Sequence, residues 1–173
     1  MRGATCLFAT WSLFVASGCV SGRVPMVGEP APGARNAESE RSYQDLLEAF
    51  TRRAGIYDVF DTRLFVQATL QSPSFAEARA RRKAEFQGLP KSAVEAAVTA
   101  EAERLAGVTE FFMGIHANDI RHDDFARPDS IWKLTLVAGE VETHPVEIVR
   151  VGRGTLDLRG LYPYVDTFWV GYT

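Results

Sequence analysis

Apolar and polar positions divide the chain into stretches of different character. From Ala4 to Ala16 no charged side chain interrupts an apolar run. Residues 20–41 then lose all apolar periodicity: Pro25, Pro30, Pro32, Gly22, Gly28 and Gly33 alternate with Arg35, Asn36, Glu38, Glu40 and Arg41. That composition predicts a tether without a packed core. Helical spacing begins at Ser42, a capping residue followed by Leu46, Leu47 and Phe50. Residues 50–57 admit a strand, Asp58 to Asp61 a hairpin loop, and residues 62–70, rich in apolar and β-branched side chains, a second strand. Ser72 and Pro73 open a helix that Gly88 ends. Ser92 and Glu95 have the spacing of a capping box for a further helix that stops at Gly107, with Val94, Val98, Ala102 and Leu105 as its apolar stripe.

Beyond Gly107 the pattern turns to strands. Residues 108–116 carry Phe111, Phe112, Met113 and Ile115, as a buried strand would. Residues 130–137 alternate, with Trp132, Leu134 and Leu136 on one face and Ile131, Lys133, Thr135 and Val137 on the other. A turn at Ala138, Gly139 and Glu140 leads into a strand over 141–151. A last strand-like run covers 168–173, with no polar tail after it, as in a segment cut short. Strands, a helical pair and more strands predict an α+β fold: a mostly antiparallel sheet or small β-sandwich, with the pair of α-helices inserted after the second strand. The organisation expected is a leader over 1–18, a tether over 19–41 and a single α+β domain over 42–173.

Composition narrows the possible functions. With 173 residues, 46% of them hydrophobic, the chain has enough for one real core. A net charge of -3 gives no basic footprint for nucleic acid. The two cysteines are Cys6 and Cys19, both near the start, so a processed domain has no thiol left for a disulfide, a nucleophile or a thiolate metal site.

The first residues make those cysteines meaningful. Arg2, the short apolar run and the small residues before a cut site are the parts of a secretory signal, and the run is shorter than the ~20 residues a bilayer span needs. Val15, Ala16, Ser17, Gly18 and Cys19 resemble the lipobox of bacterial lipoproteins, with Ala16 where that family favours Leu. The resemblance implies diacylglycerol on the Cys19 sulfur, cleavage between Gly18 and Cys19, and acylation of the new amino terminus. It covers only this leader. An ordinary signal cut near Ala16 or Gly18 is the competing reading. Val20 and Ser21 follow the cysteine, with no Asp at the position that marks inner-membrane retention, so the outer membrane is favoured over the inner. The partners expected are the lipid bilayer, through Cys19, and an envelope protein; no cofactor is expected.

Candidate chemistry is thin. Residues 116–124 hold two of the three histidines and three carboxylates. His116, Asp119, His122 and Asp124 are of the right kinds for a divalent ion in a metal-dependent hydrolase. Their spacing is not the one-face pair of H-E-x-x-H, and a polar loop between strands uses the same residues. Asp58, Asp61, Asp129 and Asp166 stand beside element ends, where acid/base groups and ordinary turn residues both occur. No G-x-S-x-G and no phosphate-binding glycine loop is present. Arg79, Arg81, Arg82 and Lys83 read as the solvated face of a helix. Tyr162, Tyr164, Phe168 and Trp169 read as core, with an exposed partner surface as the alternative. The expectation is a tethered envelope protein with a structural, assembly or binding role.

Overall fold

Ser72 and Pro73 show how locally part of this fold is determined. In the computed structural model, which describes residues 37–173, the Ser72 hydroxyl accepts the Phe75 amide and Pro73 fills the first turn of its helix. Along the chain the elements are α1 (Ala37–Phe50), β1 (Thr51–Asp58), β2 (Asp61–Leu70), α2 (Pro73–Phe86), α3 (Lys91–Arg104) and β3 (Phe111–Ala117). After a 3-10 turn (Ile120–His122) come β4 (Leu136–Ala138), β5 (Val141–Thr143), β6 (Arg150–Arg153), α4 (Leu156–Leu161) and β7 (Val170–Tyr172). The fold is α+β. One five-stranded sheet has the order β1-β2-β3-β7-β6, every neighbouring pair antiparallel, and β4 and β5 form a separate two-stranded ladder. The helical pair α2 and α3 is inserted after the second strand, as the pattern predicts.

The two faces of the sheet are covered differently. On one, Phe112 packs with Tyr43 and Leu47 of α1, Phe75 of α2, and Leu161, Tyr162 and Val165 of the α4 region. On the other, Leu64, Ile115, Val170 and Tyr172 meet Phe125, with Trp132, Leu134 and Ile148 around them. The helices cover only the Thr69–Phe112 end of the first face, where the Tyr164 and Thr69 hydroxyls are 2.7 Å apart. The end where Phe65 pairs with His116 is left open.

Several expectations need correction. Residues 1–36, including the expected leader, Cys19 and most of the tether, lie outside the described residues. Residues 37–41, expected as tether, are the first turn of α1, and Ser42 lies inside that helix with its hydroxyl donating to the Glu38 carbonyl. The Ser92 capping box does not form: α3 starts at Lys91 behind Pro90, and Glu95 instead takes Arg81 of α2. Residues 131–135 alternate as predicted, but Leu136, expected on the face of Trp132 and Leu134, is exposed, and only Leu136 and Val137 of the run are strand. Trp132 and Leu134 reach the second core from a loop, in which the Trp132 amide donates to the Ser130 hydroxyl. Residues 141–151 are split into β5 and β6, with Pro145, which has no amide to donate, between them. The short α4, capped by the Thr155 hydroxyl accepting from Leu158, was not predicted.

The basic run on α2 is also corrected, because Arg82 is only 8% exposed. Its Nε donates to the Gly160 carbonyl at 2.7 Å, and its two terminal nitrogens donate to Glu40 of α1 at 2.7 and 2.9 Å. The guanidinium lies 4.2 Å from the Tyr43 ring centre and 5.1 Å from that of Phe86. One side chain thus ties α1, α2 and α4 together. Arg82→Ala strands the Gly160 carbonyl and removes the stacking, and should cost about 3 kcal/mol of unfolding free energy. Arg82→Met keeps the apolar contact and should lose less. Denaturant titration of the two variants checks this; equal losses would mean that the packed stem contributes nothing.

Candidate functional site

The open end of the helix-covered face carries the most unusual grouping of side chains. Antiparallel register sets Gly55 beside Phe65 and Phe65 beside His116, while Trp169 stands one residue before β7. Alternation puts Phe65, Gln67 and Thr69 of β2 on one face, together with His116 of β3 and Arg53, Gly55 and Tyr57 of β1. Phe65 and His116 have ring centres 6.5 Å apart and planes within 20°. Phe65 and Trp169 are 6.5 Å apart and within 18°, and His116 and Trp169 6.1 Å apart at 33°. In a single face-to-face stack the outer pair would stand about twice as far apart as its inner neighbours. These three similar spacings instead close a triangle of rings, two pairs near-parallel and the third tilted. Tyr57 meets Phe65 edge-on at 6.0 Å and folds back over Gly55, where a Cβ would come within 2.9 Å of its hydroxyl.

Beside the cluster runs a groove of ≈ 530 Å³, lined by Arg53, Gly55, Tyr57, Phe65, Gln67 and Trp169 among others. That volume lies within the range of small-molecule sites, roughly 300–1,000 Å³. Tyr57 is 65% exposed and Phe65 36%, although large aromatic rings are ordinarily buried. The side-chain oxygen of Gln67 is buried with no hydrogen-bond partner, a state that costs on the order of 1–3 kcal/mol. The exposed aromatic rings, the Gln67 amide and the Arg53 cation can together bind a molecule with one apolar face and polar groups on its rim.

The residues singled out for metal binding take different places. His116 belongs to the ring triangle, with its Nδ1 3.4 Å from the Phe168 carbonyl. Asp119 caps the 3-10 turn and is gripped by Arg121, whose Nε donates at 3.0 Å and Nη2 at 2.5 Å. The Arg121 hydrogen bonds hold the Asp119 carboxyl far below its ordinary range. Asp124 accepts the Ser130 hydroxyl, and the backbone carbonyl of His122 accepts the Trp132 indole. Among the described residues no three His, Cys, Asp or Glu side chains come close enough to hold an ion. The structure does not bring His116, Asp119, His122 and Asp124 together as a ligand set.

The other carboxylates serve local structure. Asp58 pairs with Arg63, Asp129 with Arg127, and Asp166 accepts the Phe168 amide two residues on. Asp123, not singled out by sequence, accepts the Tyr172 hydroxyl at 2.5 Å and pairs with Arg150 at 3.1 Å. A smaller cavity of ≈ 170 Å³ beside Asp123, His116 and Phe168 falls below the usual size of a ligand site. The sequence reading set Phe65 only within a strand over residues 62–70. The signal it passed over is that Arg63 and Gln67 flank Phe65 on the same face of β2, which marks that face as turned toward water. No protein-family model, no curated protein and no solved structure matches this chain.

Proposed function

We propose that this chain is a bacterial envelope lipoprotein, held by acyl chains on Cys19 in the outer membrane, whose folded part is a non-catalytic binding domain. The observation that carries the binding role is the triangle of Phe65, His116 and Trp169, of which Phe65 and Trp169 line the groove. Aromatic side chains dominate binding energy where they are rigidly held. Here Trp169 is fixed by packing against the helix-side core and Phe65 by its strand.

The ligand chemistry that fits is a saccharide. A sugar ring lays its C–H face on an aromatic ring and directs hydroxyls outward, toward groups such as the Gln67 amide. The exposed Arg53 guanidinium favours a sugar that carries a carboxylate.

The test is tryptophan fluorescence during titration with amino-sugar oligosaccharides, with and without carboxylate substituents. Trp169 reports from the groove; Trp132 is stacked on Phe125 in the other core and serves as a silent reference. Binding should quench the signal, and quenching should survive Trp132→Phe. Trp169→Ala should weaken binding about 30-fold, the loss of ~2 kcal/mol expected of an aromatic anchor, when measured by calorimetry. A wild-type chain that binds none of these saccharides would overturn the ligand assignment.

A further inference from the structure

The two edges of the five-stranded sheet are built differently. At one edge β6 has four residues, a register irregularity between Arg150 and Gly152, and Gly152 at φ +113. These are the devices by which an edge strand avoids further pairing. At the other edge β1 has eight residues and contains no proline. Its pairing with β2 shifts between Ile56 and Tyr57, but the register places the extra residue, Arg63, in β2, so β1 itself runs regularly. Among the described residues β1 has one neighbour, β2, and half of the backbone hydrogen-bonding groups of such a strand point away from it.

The sequence of β1 is complementary to itself. When two copies run antiparallel about Gly55, Gly55 faces Gly55, Ala54 faces Ile56, Arg53 faces Tyr57 and Arg52 faces Asp58. Each arginine stands opposite an aromatic ring or a carboxylate on the same face. Within one copy Arg52 donates to the Ala49 and Thr51 carbonyls and Asp58 pairs with Arg63, contacts that the pair across copies would share or exchange. Moving the two-fold point by one residue toward the amino end sets Arg52 against Ile56 and leaves Asp58 outside the ladder. One further residue sets Arg53 against Arg53. The Gly55-centred register also lays the hairpin tip of one copy alongside the end of α1 in the other. That tip carries Val59, 84% exposed and at φ 54, and Phe60, fully exposed. A β-branched residue in the left-handed region is an outlier that free chain ends and ordinary turns avoid.

We infer that the chain pairs with a second copy of itself through β1, in antiparallel register about Gly55, joining two five-stranded sheets into one of ten. Arg53 and Tyr57 line the groove, so each copy extends its partner's groove with its own Arg53. The pairing stands whether or not a saccharide is the ligand.

The experiment uses the full chain in its native envelope. Ala54→Cys with Ile56→Cys sets opposed thiols across the paired strands, and mild oxidation should give a covalent homodimer that the wild-type chain does not. In that background Arg52→Asp and Asp58→Arg each set like charges opposite one another and should lower dimer yield about tenfold. The double reversal Arg52→Asp/Asp58→Arg should restore it, which a merely structural loss at Arg52 would not permit. Overturning results are dimer yield no higher than in wild type, a double reversal as poor as the single ones, or crosslinking only to a different protein.

Discussion

Strong alkali is expected to unfold this domain in one cooperative step, with tyrosine ionisation and loss of structure occurring together. Tyr43, Tyr162, Tyr164 and Tyr172 all have hydroxyls whose pKa is displaced upward, chiefly by burial. Tyr162 is pushed up to about 12, and Tyr172 to about 12 with the neighbouring Asp123 carboxylate adding to burial. The unfolded chain ionises its tyrosines near 10, so above that pH the native state holds more protons and stability falls as pH rises. Stability from these groups is therefore whole below about 10 and lost on approach to about 12. Each pH unit by which a hydroxyl is displaced corresponds to roughly 1.4 kcal/mol, a sizeable fraction of the ~5–15 kcal/mol that holds a small domain together. Tyrosinate absorbance and circular dichroism followed on one sample provide the check. Tyrosines that ionise near 10 while the fold persists would show that the hydroxyls are open to water.

Three of these tyrosines join separate parts of the fold, which is why burial is so complete. The Tyr43 hydroxyl donates to the Leu161 carbonyl, linking α1 to α4, and the Tyr162 hydroxyl donates to the Gln71 side chain before α2. Tyr172 anchors β7 to Asp123 in the loop beyond β3. The Phe112 and Tyr162 rings stack at 3.8 Å in the middle of the helix-side core.

What was legible in the sequence and what was not divides by range. Ser72 with Pro73 and the glycine at 88 fix their ends through contacts a few residues apart, and the structure repeats them. The alternation of residues 130–137 correctly sorted Trp132 and Leu134 inward, but alternation reports burial and not pairing. Among the described residues no strand lies alongside, so the segment stays a loop. Arg82 was read as solvated because its neighbours are charged, and it is α1 and the return of α4 past α2 that cover it. The candidate site was the least legible part. His116 was noticed for its imidazole and nearby carboxylates, yet its neighbours in space are Phe65 and Trp169, each about fifty residues away in sequence. They meet through the antiparallel β2–β3 and β3–β7 pairings, and the register of strands so far apart is not written in any local pattern.

Replacing Cys19 by alanine is expected to abolish acyl labelling and to release the protein from the membrane, while leaving the fold and the groove intact. The energetics make this close to all-or-none. Acyl chains contribute about 0.8 kcal/mol per buried CH₂, and one chain alone gives only reversible attachment, so durable retention depends on the two or three chains that this cysteine carries in a lipoprotein. Among the described residues no helix is long and apolar enough to cross a membrane, so nothing in the folded part offers a substitute span. The anchor and the groove are then separable. Cys19→Ala should partition into the soluble fraction yet quench with saccharide as wild type does, whereas Trp169→Ala should stay on the membrane and fail to bind. Metabolic labelling with a fatty-acid analogue, followed by fractionation, reads the first property. Unchanged labelling and retention in Cys19→Ala would sink the lipoprotein reading. A wild-type chain without lipid whose amino terminus lies near Ala16 or Gly18 would assign the leader to ordinary secretion instead, leaving the binding role to stand or fall on Trp169.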